Sequence, residues 1–178
     1  MNKTFFLLIV LTFPIFCFAQ KYKSIKSYVR FYSEAPVENI EAVNTKSTSI
    51  FDAGSKRIAF SVPIRDFYFA KALMQEHFNE NYMESEKYPT ATFSGQIVGL
   101  DPNSSATQQV KAEGKLSIHG VEKDVVIEGE LKPGENYIKV KSKFMVKLED
   151  YNIKVPSIVT YNISEIIEVT VLFDYAKL

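Results

Sequence analysis

The chain has 178 residues, with 21 basic and 21 acidic side chains, two histidines, one cysteine and no tryptophan. Lysines and glutamates are interleaved along its length, which excludes the clustered basic face that nucleic acid or an anionic membrane surface would require. One cysteine cannot form a disulfide within the chain.

The first segment reads as an address. Lys3 supplies a positive start, Phe5 to Phe18 form a nearly unbroken apolar stretch, and Ala19 is a small residue at the end of it. The stretch contains Pro14 and is about 14 residues long, short of the roughly 20 that a spanning helix needs, so stable membrane insertion is not expected. Cys17 lies inside it, preceded by Phe16 and Pro14 rather than by the small and aliphatic residues of a lipid-attachment site. Residues 1–19 are therefore expected to be a cleavable signal peptide. The mature chain, 20–178, then has no thiol, carries a formal charge near minus one once Lys3 is lost, and works in the periplasm or as a secreted protein. Its residues, about 159, suit one domain with a core of its own.

The next elements are strands. Weak candidates at Tyr28 to Ser33 and Glu38 to Asn44 are followed by Thr48 to Asp52, the turn Ala53-Gly54-Ser55-Lys56, and Ile58, Phe60, Val62 and Ile64 in strict alternation. From Phe69 to Met83 the period changes: Phe69, Leu73, Met74, His77, Phe78 and Tyr82 fall at helical spacing, with Gln75, Glu76, Asn79 and Glu80 on the other side. One helix or two short ones are expected there, covering an apolar opening or flank. Alternation resumes at Ala91 to Ile97, Val110 to Ile118, Val125 to Leu131, Ile138 to Leu148 and Ile167 to Phe173. Asp101-Pro102-Asn103-Ser104, His119-Gly120 and Lys132-Pro133-Gly134-Glu135 supply the turns. Eight or nine antiparallel strands imply an all-β closed barrel or a sandwich, and eight strands suffice to enclose one small ligand.

Several strands carry small residues on the apolar face, namely Gly95, Ala112, Gly114 and Gly129. Two readings stand side by side: space for a guest, or sharp coiling and close approach of backbones. The candidate pocket lining is Phe60, Val62, Phe67, Phe69, Phe78, Phe93 and Phe144, residues that an ordinary core would use equally well. An apolar guest needs no charged anchor. About ten buried methylenes at about 0.8 kcal/mol each give on the order of 8 kcal/mol gross, against association costs of about 4–15 kcal/mol.

Catalysis would rest on the histidines. His77 and Glu80 have a spacing that can place an imidazole and a carboxylate on one metal, but no third ligand lies nearby, and His119 belongs to a turn far along the chain. No nucleophile triad or phosphate loop is present in the sequence, so neither an enzyme nor a cofactor is expected. Asn103-Ser104-Ser105 and Asn162-Ile163-Ser164 fit the three-residue glycosylation pattern, which arises often by chance.

The stretch His77-Phe78, Tyr82-Met83-Glu84 and Lys87-Tyr88-Pro89-Thr90-Ala91-Thr92-Phe93 resembles the hallmark of the YceI-like family. Glu113-Gly114-Lys115-Leu116-Ser117-Ile118-His119-Gly120-Val121-Glu122-Lys123 resembles that family's glycine hairpin, at the expected separation. The likeness runs from about Ile58 to Phe173, whereas the N-terminal third departs from the family, lacking its early tryptophan and Gly-x-Phe strand. The resemblance implies an extended lipocalin-like, eight-stranded barrel with a helical cover around 69–83, exported, holding a polyisoprenoid or another long apolar chain. The leading expectation is a carrier of an isoprenoid lipid or a quinone-like compound. The alternatives are a structural or protein-interaction barrel filled by its own side chains and a His77-dependent metalloenzyme. A homodimer stays open.

Overall fold

The computed structural model describes residues 20–34, 39–155 and 164–178. The signal segment 1–19 and the Asn162-Ile163 part of the second acceptor pattern lie outside them, as does Glu38 at the start of the second expected strand.

The alternating segments become ten strands: β1 (Lys21–Ser33), β2 (Ile40–Asn44), β3 (Thr48–Asp52), β4 (Arg57–Pro63), β5 (Tyr68–Phe69), β6 (Thr90–Val98), β7 (Gln108–Ile118), β8 (Val121–Pro133), β9 (Tyr137–Lys147) and β10 (Ile166–Lys177). Eight of them form a closed antiparallel barrel in the order β1-β3-β4-β6-β7-β8-β9-β10, with β10 pairing back onto β1. That closing ladder runs from Tyr22 opposite Lys177 to Tyr32 opposite Glu168, so β1 starts well before the Tyr28 expected from the sequence. Closure leaves the barrel without a free edge along this seam.

One wall is bent. β2 and β3 pair with successive stretches of β1 in one continuous register, Val29 opposite Asn44 and Lys21 opposite Asp52. They are two halves of a single wall strand broken at a corner. Asn44, fully buried, fixes that corner: its Nδ2 donates to the Pro63 carbonyl at 2.7 Å, and its Oδ1 accepts from the Lys46 N–H at 2.8 Å and the Ser47 hydroxyl at 3.0 Å. Beyond Pro63 the chain leaves the wall through a 3-10 turn, Ile64–Asp66, and β5 pairs with β2, Ala42 opposite Phe69. Ile64, expected as the last residue of a strand, belongs to that turn, because the corner diverts the chain there.

The cover is a short helix, α1 (Ala72–His77), continued by a π-helical turn, Phe78–Tyr82. The expected helical face needs two corrections. Phe69 lies in β5, where pairing with β2 takes precedence over helical spacing, and Leu73 points outward, 61 % exposed. Met74, Phe78 and Tyr82 pack against the core.

The mid-strand glycines answer to close approach. Gly95 and Gly114 lie opposite each other in the β6–β7 ladder, and a Cβ on either would overlap a carbonyl oxygen of the neighbouring strand, Glu113 O and Ser94 O respectively. Neither borders empty space in the lumen. The interior divides along the barrel axis. The half away from the helix is filled by Tyr22, Phe51, Ile97, Leu131, Phe173 and Tyr175, all buried. Tyr175 is fixed by a hydroxyl pair: Ser49 Oγ donates to the Ala59 carbonyl at 2.8 Å, which leaves the Tyr175 phenol to donate to Ser49 Oγ at 2.7 Å. Burial pushes the Tyr175 phenol well above the usual tyrosine range.

Candidate functional site

The other half of the lumen is hollow. A cavity of about 350 Å³ lies between the filled half and the helical cover. Its wall comes from the C-terminal halves of β1, β4, β7 and β9 and the N-terminal ends of β6 and β10, which the antiparallel order brings to the same end of the barrel. Ser33, His77 and Tyr82 are the polar residues among its lining; the rest are apolar.

The cover is held by aromatic contact. Phe78 stacks on Phe31 of β1, with ring centroids 5.2 Å apart, and meets Phe69 at 5.0 Å and Phe67 at 5.6 Å; Phe31 in turn touches Phe67 and Phe69. Such pairs add about 0.5–1.5 kcal/mol each beyond area burial. The π-helical turn places Phe78 and Tyr82 on the same inward side, and burial raises the Tyr82 phenol above its ordinary range.

Six of the seven candidate lining residues border the cavity: Phe60, Val62, Phe67, Phe69, Phe78 and Phe144. Phe93 does not. It lies beside Phe60, stacked against it at 5.1 Å, and is 1 % exposed. The two are cross-strand neighbours on one face, and the Phe93 ring leans toward residue 95, where a Cβ would stand 2.7 Å from its Cζ. Several lining residues went unpicked, among them Phe31, Ile118, Val146, Ile167 and Val169. Their signal was their place on the alternating apolar faces, which every core residue shares.

The histidines part company. His77 borders the cavity from α1, whereas Glu80 faces an outer cleft with Glu76, Glu84 and Arg65, so the pair does not converge. Among the described residues no group of three or more potential ligands converges to hold a metal. His119 sits in a tight turn at φ 51°, followed by Gly120 at φ 74°. Its Nε2 lies 2.8 Å from Glu84 Oε2, its Nδ1 lies 3.1 Å from the Tyr151 carbonyl, and its ring meets Tyr88 edge-on at 4.5 Å. The turn thereby ties the segment after the cover to the 3-10 turn Leu148–Tyr151, which follows β9. Nothing in the local sequence foretold partners 35 and 32 residues away.

A closed eight-stranded antiparallel barrel with an apolar cavity beneath a short helical cover is a lipocalin-like barrel. More narrowly, the chain belongs to the YceI-like domain family, whose model matches residues 23–175. The match takes in β1 and the bent wall, so the family likeness extends through the N-terminal third that the motifs alone left out. No curated protein matches the sequence. Among solved structures, a polyisoprenoid-binding domain from Saccharophagus degradans, implicated in plant cell wall breakdown, aligns with TM-score 0.76 at 14 % identity, covering 88 % of this chain and 98 % of that one. Burkholderia cenocepacia BcnA aligns with TM-score 0.70 at 15 % identity, over 83 % and 95 % of the two chains. The Campylobacter jejuni YceI protein gives TM-score 0.65 at 19 % identity, over 82 % and 88 %. At these identities the likeness is one of fold.

Proposed function

We propose that the protein is an exported carrier that holds the apolar chain of an isoprenoid lipid or quinone-like molecule in the covered half of its barrel. The observation that carries this reading is the cavity: about 350 Å³ walled almost wholly by hydrocarbon, inside a domain whose other half is packed solid. A barrel serving only as a scaffold would gain by filling that space, since each methylene-sized void costs about 1 kcal/mol. The S. degradans domain, described as polyisoprenoid-binding, supports the same class of guest. Of the polar residues in the described lining, Ser33 accepts a hydrogen bond from the Ser164 N–H at 2.9 Å, and a wall otherwise of hydrocarbon suits binding.

Export is part of the proposal and rests on Lys3, the apolar run Phe5 to Phe18 and Ala19. In an aqueous compartment a long apolar chain has little solubility of its own, and a protein lumen replaces the missing solvent. The test is to express the full chain in a Gram-negative host, recover the processed protein, extract it with organic solvent and analyse the extract by mass spectrometry. One equivalent of a long-chain compound on a chain beginning near Gln20 is expected. An unprocessed cytosolic chain would defeat the export claim, and an empty lumen over repeated preparations would defeat the carrier claim.

A further inference from the structure

The boundary between the hollow and the filled half of the barrel is a layer of three aromatic rings. Phe60 of β4 lies opposite Phe93 of β6, their rings stacked with 15° between the planes, and Phe173 of β10 stands 6.2 Å from Phe60. Beneath them Tyr175 supports Phe173 at 5.9 Å and is itself held by Ser49. Phe93 can take its position because residue 95 is glycine: a Cβ there would stand 2.7 Å from the Phe93 Cζ. Of the three rings only Phe60 borders the cavity. A chain entering under the cover therefore meets Phe60, with Leu116, the β7 partner of Phe93, at the same level of the wall.

We propose that this aromatic floor, with Phe60 as its upper surface, sets the length of apolar chain that the protein holds, at about 15 carbons; the proposal rests on the carrier reading above. The length follows from volume. Benzene, with six carbons, occupies a cavity of about 150 Å³, or roughly 25 Å³ per carbon. On that scale the 350 Å³ present here houses about 14 carbons, close to three isoprene units. Longer chains must leave their remaining carbons outside the lumen, where they gain little. Removing the Phe60 ring would free a space of about one benzene, enough for about one more isoprene unit.

The experiment displaces a fluorescent fatty-acid probe from delipidated mature protein with linear all-trans prenols of 10, 15, 20, 30 and 40 carbons. Full burial is worth about fourfold in affinity per methylene. The expected series strengthens at least about tenfold per added unit up to 15 carbons and changes by less than about threefold beyond. In Phe60→Ala the break moves to 20 carbons. Phe60→Leu, a milder change, is made alongside; if Phe60→Ala does not fold, Phe60→Leu is expected to raise the ratio of 20-carbon to 15-carbon affinity at least threefold. Affinity that climbs without a break to 30 or 40 carbons overturns the length claim and leaves the carrier reading standing. So does an unmoved break in a folded Phe60 variant. Failure of every prenol to displace the probe overturns the carrier reading, and the length claim with it.

Discussion

Replacing Phe78 by alanine separates the helical cover from the barrel. The ring makes three aromatic contacts, with Phe31, Phe67 and Phe69, at centroid distances between 5.0 and 5.6 Å. At about 0.5–1.5 kcal/mol per pair these contacts amount to about 3 kcal/mol, which is also the lower end of the range for Phe→Ala at a buried site. The lower end is appropriate because Phe78 borders the cavity and part of its surface already faces empty space. For a domain of this size 1 kcal/mol moves the melting temperature by about 2–4 °C, so a fall of about 6–12 °C is expected. Hydrogen exchange supplies the discriminating readout. Amides of residues 72–83 should lose most of their protection in the variant, while those of β6, β7 and β10 keep theirs, since local opening costs less than global unfolding. A shift below about 1 kcal/mol with protection of 72–83 unchanged would refute the claim that this ring anchors the cover.

Three further outcomes follow from the fold. Gly114→Ala places a Cβ into the Ser94 backbone, with the Ser94 carbonyl carbon 2.9 Å away; a loss of at least about 2 kcal/mol in urea unfolding is expected, and a neutral result would mean that the β6–β7 backbones have room to part. Ser49→Ala strands the buried Tyr175 hydroxyl at a cost of about 1–3 kcal/mol, whereas Tyr175→Phe leaves Ser49 bonded to Ala59 O and costs less, and the double variant recovers most of the single Ser49→Ala loss. Arg30 lies beside Glu41, its Nη2 2.7 Å from the carboxylate, and the bond holds the Glu41 carboxyl below its ordinary range. A depressed folded pKa gives stability that is present above the carboxylate range of the unfolded chain and is lost as pH falls through the folded value. Glu41→Gln should therefore lose about a few tenths of a kcal/mol at neutral pH and match the parent in acid, and an equal loss at both would contradict the ion-pair account.

The strands were legible because one face of each meets a core: Ile58, Phe60 and Val62, or Ile167, Val169, Val171 and Phe173, alternate as a half-buried wall must. The bend was not. Whether residues 40–52 form one wall strand or two depends on which stretch of β1 each half meets, and a register is a long-range fact that alternation does not encode. β5 has two residues, too few for any period. The cover was readable as a change of period, but the outward turn of Leu73 and the transfer of Phe69 to a strand required the barrel as context. Legibility ended soonest at the cavity. Phe60 and Phe93 are the same residue type on the same face of adjacent strands, and one borders a void while the other, in the same aromatic layer, does not. Small mid-strand residues offered two meanings, and the Gly95–Gly114 pair took the one set by backbone proximity. His119 was readable as a turn residue, while its bonds to Glu84, ahead of β6, and Tyr151, just after β9, depend on how the neighbouring strands β6 to β9 are ordered in the sheet.

Methyl-labelled NMR of the delipidated mature protein titrated with farnesol tests most directly whether the hollow half of the barrel is a binding site. Methyl signals of Val62, Ile118, Val146 and Ile167, which line the cavity, are expected to shift with one-site saturation, while those of Ile97, Val110 and Leu131 in the filled half stay in place. Shifts confined to outward-facing residues such as Leu73, Val126 and Ile166, or no saturable shift at all, would contradict the account.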